Sequence, residues 1–164
     1  MRKLILMGRS MAGKTTLTQA LKGEEIRYYK TQDVKYYDSV IDTPGEYAQS
    51  HRLAKALALY TYEADVVGIL CSATEPYSLF SPNCTSQANR ECIGIVTKID
   101  LPNANVPLAD RWLKNAGCHK IFHVDSKHGV GVQEILDYLS IDEDRPKIKL
   151  SELKDHGPLE RLNC

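Results

Sequence analysis

Short apolar runs recur at wide spacing along the chain: Lys3 to Met7, Val66 to Cys71, Cys92 to Val96 and Ile121 to Val124. Each is rich in Ile, Val and Leu and is bounded by turn-forming residues, the pattern of strands buried on both faces of a parallel sheet. Helix-period segments lie between and after them. Thr15 to Lys22 follows the first run, and Tyr47 to Tyr62 carries Leu53, Ala56, Leu57 and Tyr60 at spacings of three and four. Leu108 to Ala116 and Val132 to Leu139 follow later runs. This alternation predicts a three-layer α/β domain with a doubly wound, mostly parallel sheet.

Two weaker strands fit the same frame, one around Gln32 to Tyr37 and one ending in "VIDTPG", pairing as a hairpin across "YDS". Between Ala73 and Arg90 the segment "ATEPYSLFSPNCTSQANR" holds two prolines and many Ser, Thr and Asn residues. Such a composition leaves no room for a full crossover helix, so the third crossover is expected to be shortened to a loop with at most a short helix. The last stretch, "SIDEDRPKIKLSELKDHGPLERLNC", begins acidic, breaks at Pro146 and offers a helical turn around Ser151 to Lys154. The expected organisation is one domain over residues 1–140 and a C-terminal extension over 141–164.

Charge narrows the function classes. Lys plus Arg and Asp plus Glu are 21 each, with a net charge of +0, so no overall field draws the chain onto nucleic acid or an anionic membrane. The charge balance favours a small-molecule or protein partner. The five cysteines form no C-x-x-C pair, which suggests neither a disulfide framework nor a zinc site. The first apolar run ends at a glycine loop, too soon for a signal segment or a membrane span, and the expected location is cytoplasmic.

"GRSMAGKT" at Gly8 to Thr15 matches G-x-x-x-x-G-K-[ST] between a strand and a helix. Glycine permits the turn whose N–H groups converge on phosphate, and the following helix adds its positive end. Lys14 reaches the β and γ phosphates, and the Thr15 hydroxyl meets Mg²⁺. The expected cradle comprises Gly8, Arg9, Ser10, Met11, Ala12, Gly13, Lys14, Thr15 and Thr16. Ser10 and Met11 bring side chains into it, and Arg9 sets a cation at its mouth, pointing to solvent or acting as an arginine finger in cis.

Asp42, at the end of an apolar strand in "VIDTPGEY", stands where a carboxylate holds magnesium's water shell. Gly45 could present its N–H to a γ-phosphate without a side chain in the way. Alone, "DTPG" is an ordinary Asx-Pro turn; after a phosphate loop it becomes a second phosphate-sensing segment. In "TKID", Thr97 to Asp100, the Asp100 carboxylate only accepts hydrogen bonds. It therefore suits the N1–H and exocyclic amine of guanine, whereas adenine presents an acceptor at N1. The Lys98 stem would wall the pocket. In "HVDSKHGVGVQEI", Ser126 and Lys127 could offer a backbone N–H and a second wall. GTP is thus the expected nucleotide, with ATP as the alternative and Mg²⁺ as cofactor. The five histidines show no ligand spacing, and only His51, near the second phosphate loop, stands close to the chemistry.

In this order, the phosphate loop, "DTPG", "TKID" and "DSKHGVG" resemble the guanine-nucleotide-binding P-loop proteins of Ras-like fold. More narrowly, "KTQ" at Lys30 to Gln32, "DTPGEY" and "TKID" followed by "LPNANV" look like the EutP/PduV family of the ethanolamine- and propanediol-utilisation operons. The resemblance implies an association with bacterial microcompartments, a protein partner there, and an acetate kinase activity attributed to the family. It also implies that Thr31 is the switch threonine that meets Mg²⁺. Glu46 stands where signalling GTPases carry a water-orienting glutamine, which implies slow hydrolysis. Three expectations follow: a slow GTPase or GTP-dependent switch, an ATP-dependent acetate kinase-like phosphotransferase using Arg9, Arg52 or Lys55 to hold a carboxylate, or a nucleotide-binding module with negligible turnover.

Overall fold

The computed structural model describes residues 1–25, 35–36, 40–43, 55, 59 and 62–141. Strand β1 (Leu4–Gly8) leads through a glycine loop into helix α1 (Lys14–Leu21). Strands β2 (Lys35–Tyr36) and β3 (Val40–Asp42) follow, then β4 (Val66–Ser72), a short 3₁₀ segment (Cys84–Gln87) and β5 (Glu91–Thr97). Helix α2 (Val106–Ala116), strand β6 (Lys120–Val124) and helix α3 (Val132–Ser140) are the last elements among the described residues.

The six strands lie in the order β2-β3-β1-β4-β5-β6. Every pairing is parallel except β2 with β3, which forms the expected antiparallel hairpin. Side chains alternate across a strand, and this alternation explains why the central strands are apolar at every position. Ile5, Met7, Ile41, Val67, Ile69 and Val96 face one core, with Ala109, Leu113 and Ala116 of α2. Leu4, Leu6, Val40, Leu70, Ile93, Ile95 and Val124 face the other, with Leu17 of α1 and Val132, Ile135 and Leu139 of α3. Both faces are therefore covered, and the three-layer α/β architecture is observed.

Residues 73–90 carry no α-helix, as their composition implies. Phe80 and Cys84 plug the sheet face instead, both buried in the α2-side core. Main-chain and side-chain bonds tie this segment to the end of α2: Asn83 N–H donates to Asn115 C=O at 2.7 Å, and the Thr85 hydroxyl donates to Ala116 C=O at 2.9 Å. These bonds satisfy carbonyls that a helix C-terminus otherwise leaves open. Helix α2 is also capped locally, by the Asn105 side chain accepting from Leu108 N–H and by Gly117 at φ 104°.

The observed α2 begins at Val106, two residues before the periodic pattern starts, because Pro107 is accommodated in the first turn of a helix. Of the predicted helix 47–62, Lys55, Leu59 and Tyr62 lie within the described residues; all three are exposed, the first two are helical, and Tyr62 is in a turn. The predicted turn at 151–154 lies outside them. No helix among the described residues is long and apolar enough to cross a membrane.

Candidate functional site

In an open parallel sheet, the carboxyl ends of the strands are where crevices form and ligands bind. Here the loops after β1, β5 and β6 meet on that side. They line a cavity of about 290 Å³ with Gly13, Thr16, Thr97, Lys98, Asp100, Leu101, Asp125, Ser126 and Lys127.

The phosphate loop begins at Gly8, where a side chain would collide with the Leu70 main chain of the adjacent strand, an added Cβ lying 2.9 Å from its carbonyl oxygen. It ends at Gly13, whose φ of 99° starts α1. Lys14 lies buried beneath the loop, its Nζ donating to the Gly8 and Arg9 carbonyls at 2.8 Å each. Burial pushes its ammonium down to about 8, against the opposing pull of Asp42 and Glu75.

Two residues of "TKID" hold the loop from the opposite side. The Thr97 hydroxyl donates to Ala12 C=O at 2.5 Å, and Lys98 Nζ donates to Met11 C=O at 2.7 Å. Met11 and Lys98 are both non-glycine residues in left-handed backbone, at φ 65° and 57°. Such conformations persist only where surrounding contacts enforce them, and here the two strained residues are bonded to one another. The side chains of Ser10 and Met11 are exposed, Met11 being 85% accessible.

Asp42 ends β3, fully buried, and its Oδ2 accepts the Thr15 hydroxyl at 2.8 Å. The next residue, Thr43, donates to Leu6 C=O at 2.6 Å and locks β3 to β1. The structure thus brings the phosphate loop, Thr15 and Asp42 together at one end, and Asp100, Ser126 and Lys127 together at the other. Thr31, Gly45, Glu46, His51 and Arg52 lie outside the described residues.

Arg9 does not point to open solvent. Its guanidinium stacks over the Tyr77 ring, 4.7 Å from the centroid, and donates to the Tyr77 hydroxyl at 2.8 Å. Glu75, on the same post-β4 segment, accepts from Ser72 N–H at 3.0 Å; burial raises its carboxyl, opposed by Ser72, Arg9, Cys71 and Lys98. Neither Glu75 nor Tyr77 is signalled by the sequence, since their segment has no periodicity and no motif.

Asp125 is the other residue that sequence reasoning misses. It ends the β6 strand region, buried, and its main chain pairs with Val130 in both directions to close the following loop. Its Oδ1 accepts the N–H of Lys127 at 3.0 Å and of His128 at 3.4 Å, while its Oδ2 pairs with His128 Nδ1. Burial alone would raise this carboxyl, but those bonds outweigh it and hold it below its usual value. The available signal is the "DSKHG" pattern, an Asx turn in which the Asp side chain accepts from main chain two residues on.

Burial raises the thiols of Cys71, Cys84, Cys92 and Cys118, to about 11 for Cys92 and about 12 for Cys118. All four are free of disulfides, and at neutral pH they stay protonated and unreactive.

A glycine loop clasping a buried lysine between a central parallel strand and a helix, with an acidic strand end beside the helix's first threonine, defines a P-loop NTPase fold. The chain belongs to the PduV-EutP family (ethanolamine utilisation, propanediol utilisation), whose pattern it matches over residues 1–141. It is 40% identical over 144 residues to the "Propanediol utilization protein PduV" of Citrobacter freundii, covering 87% of this chain and 96% of that protein. It is 32% identical over 143 residues to the "Probable acetate kinase EutP" of Escherichia coli K12, covering 85% of this chain and 90% of that one. Among solved structures, the FeoB G-domain from Methanococcus jannaschii superposes with a TM-score of 0.57 at 23% identity, covering 85% of this chain and 96% of that chain. That likeness supports the fold.

Proposed function

We propose that this chain binds GTP with Mg²⁺ in the cavity described above and hydrolyses it slowly, as a nucleotide-dependent switch serving ethanolamine or propanediol utilisation. The observation that carries the reading is one cavity running from Gly13 of the phosphate loop and Thr16 of α1 to Asp100 and Ser126. A triphosphate occupies the first end and the base the second.

Asp100 accepts the two donors of a guanine edge; adenine would leave the carboxylate facing an acceptor. The Lys98 stem and Lys127 wall the ring, and a Ser126 N–H meets the base oxygen. The oxygen donors Thr15 and Asp42, 2.8 Å apart at the phosphate end, suit Mg²⁺, with Thr31 as a further ligand. Mg²⁺ bound there supplies charge neutralisation for the phosphates. Lys14, itself buried, adds a fixed cation, and charge stabilisation by such a preorganised group strengthens as solvent access falls. Gly45 offers an N–H to the γ-phosphate, and Glu46, in place of an amide, orients water poorly.

A second reading is favoured by the name of the Escherichia coli relative, a "Probable acetate kinase". The γ-phosphoryl of ATP would then pass to a carboxylate oxygen, giving an acyl phosphate and the nucleoside diphosphate. It needs a cation for that carboxylate, and Arg9 is engaged by Tyr77. We further assign residues 1–140 to the nucleotide domain and 141–164 to a C-terminal extension, with a cytoplasmic location and a microcompartment protein as partner.

Calorimetric titration of GTP, ATP and xanthosine triphosphate, with Asp100→Asn alongside, tests the base assignment. GTP should bind tightest, and Asp100→Asn should shift preference to xanthosine triphosphate. An unaltered preference in the variant removes the guanine reading. Phosphate release is then followed with and without acetate: accumulation of acetyl phosphate selects the phosphotransferase, and no consumption selects a binding module. Lys14→Ala should abolish binding in every case.

A further inference from the structure

We propose that Asp125 and His128 set how strongly Asp100 holds the base, Asp125 weakening that hold through its charge and His128 restoring it. The inference rests on the nucleotide reading above and adds two specificity-determining residues to its base end.

One oxygen each from Asp100 and Asp125 and one ring nitrogen of His128 lie within 4.8 Å of one another. Asp100 and Asp125 line the same cavity. Asp125 cannot turn away, because its Oδ1 is committed to the Lys127 and His128 N–H groups and its side chain is only 7% exposed. A second carboxylate is therefore fixed beside the one that must stay anionic to accept both donors of the base, and like charges at this separation oppose each other.

His128 answers that opposition. Its Nδ1 meets Asp125 Oδ2, and a donor there draws the Asp125 charge toward the ring and away from Asp100. Lys98 and Lys127 are the cationic side chains that line the cavity. Lys98 is bonded to Met11 C=O at 2.7 Å, and the imidazole is in direct contact with the second carboxylate. The imidazole itself is 70% exposed, so the effect is the modest one of a solvent-facing pair.

The test is calorimetric titration of GTP and of inorganic tripolyphosphate into the wild type, Asp100→Asn, His128→Ala, Asp125→Ser and the double variant Asp125→Ser/His128→Ala. Serine keeps an oxygen that can accept the Lys127 N–H, and the main-chain pairing of residue 125 with Val130 remains. His128→Ala should weaken GTP binding about two- to fivefold. Asp125→Ser should tighten it by a similar factor, and in that background the His128 substitution should have no effect. Tripolyphosphate, which has no base, should bind all five proteins alike.

Wild-type GTP affinity in His128→Ala overturns the proposal, as does an equal loss for both ligands, which would mark the pair as a brace for the loop. A His128 effect that persists without Asp125 overturns it too. If Asp100→Asn lowers GTP affinity while His128→Ala does not, this inference alone falls; if Asp100→Asn also leaves GTP affinity unchanged, the guanine reading falls with it.

Discussion

Nucleotide binding should take up a proton, and Lys14 is the group that receives it. Lys14 is 5% exposed, and burial holds its ammonium at about 8. Anionic phosphate oxygens at Nζ would favour the charged form and return it to its ordinary range. The expected uptake is about a tenth of a proton at pH 7, about half at pH 8 and about three-quarters at pH 8.5. Calorimetry of GTP binding in paired buffers of different ionisation enthalpy reads this number directly, at pH values above the last titration of the triphosphate. Affinity should decline above pH 8, approaching tenfold per pH unit. The same shift marks stability. Below pH 8 both folded and unfolded chains hold the proton, so the cost of burying the charge is fully present. Between pH 8 and the ordinary lysine value of 10.5 the unfolded chain holds more protons, so the unfolding free energy rises with pH. The rise totals about 3 kcal/mol, and Lys14→Met should lack it. Uptake near zero at pH 8.5, or uptake that falls as pH rises, would refute the reasoning.

Three further outcomes can be checked by urea unfolding. Thr97→Val keeps the shape of a buried side chain but removes the donor to Ala12 C=O, and should cost about 1–3 kcal/mol while also weakening GTP binding. Gly131→Ala sets a methyl 2.1 Å from the His123 carbonyl oxygen at a φ of 73°, so a loss above about 2 kcal/mol is expected. Gly129→Ala has nearly the same φ, 74°, with nothing within 4 Å, and should cost only the backbone term of about 1 kcal/mol; equal losses at the two glycines would refute the steric account.

The parts of this protein legible in its sequence are those where a local pattern has one physical solution. An apolar run with every position buried leaves little choice but a sheet covered on both faces, and "GRSMAGKT" after such a run leaves little but a phosphate loop. The absence of a helix between β4 and β5 is equally legible, because Pro, Ser and Asn are enough to forbid it. What escapes are contacts made across long separations by residues with no pattern of their own. Arg9 looks like a solvent-facing cation until Tyr77, from an irregular segment, comes to lie beneath it. His128 has no ligand spacing along the chain, yet the fold puts it next to Asp100. Asp125 sits one residue before Ser126 in a loop the sequence does mark, and is passed over because its side chain closes its own turn as well as facing the cavity.

The missing crossover helix has a consequence for how the chain assembles. Parallel strands are entropically costly to join because their connections are long. Here β4 and β5 are separated only by residues 73–90, whereas 98–119 separate β5 from β6 and 9–39 separate β1 from β3. This shortest parallel connection also carries the longest register, running from Val66 opposite Glu91 to Ser72 opposite Thr97. The β4–β5 pair is therefore the parallel contact that this chain closes at least cost in loop entropy, and it can serve as the early platform onto which the more distant β1 and β3 dock.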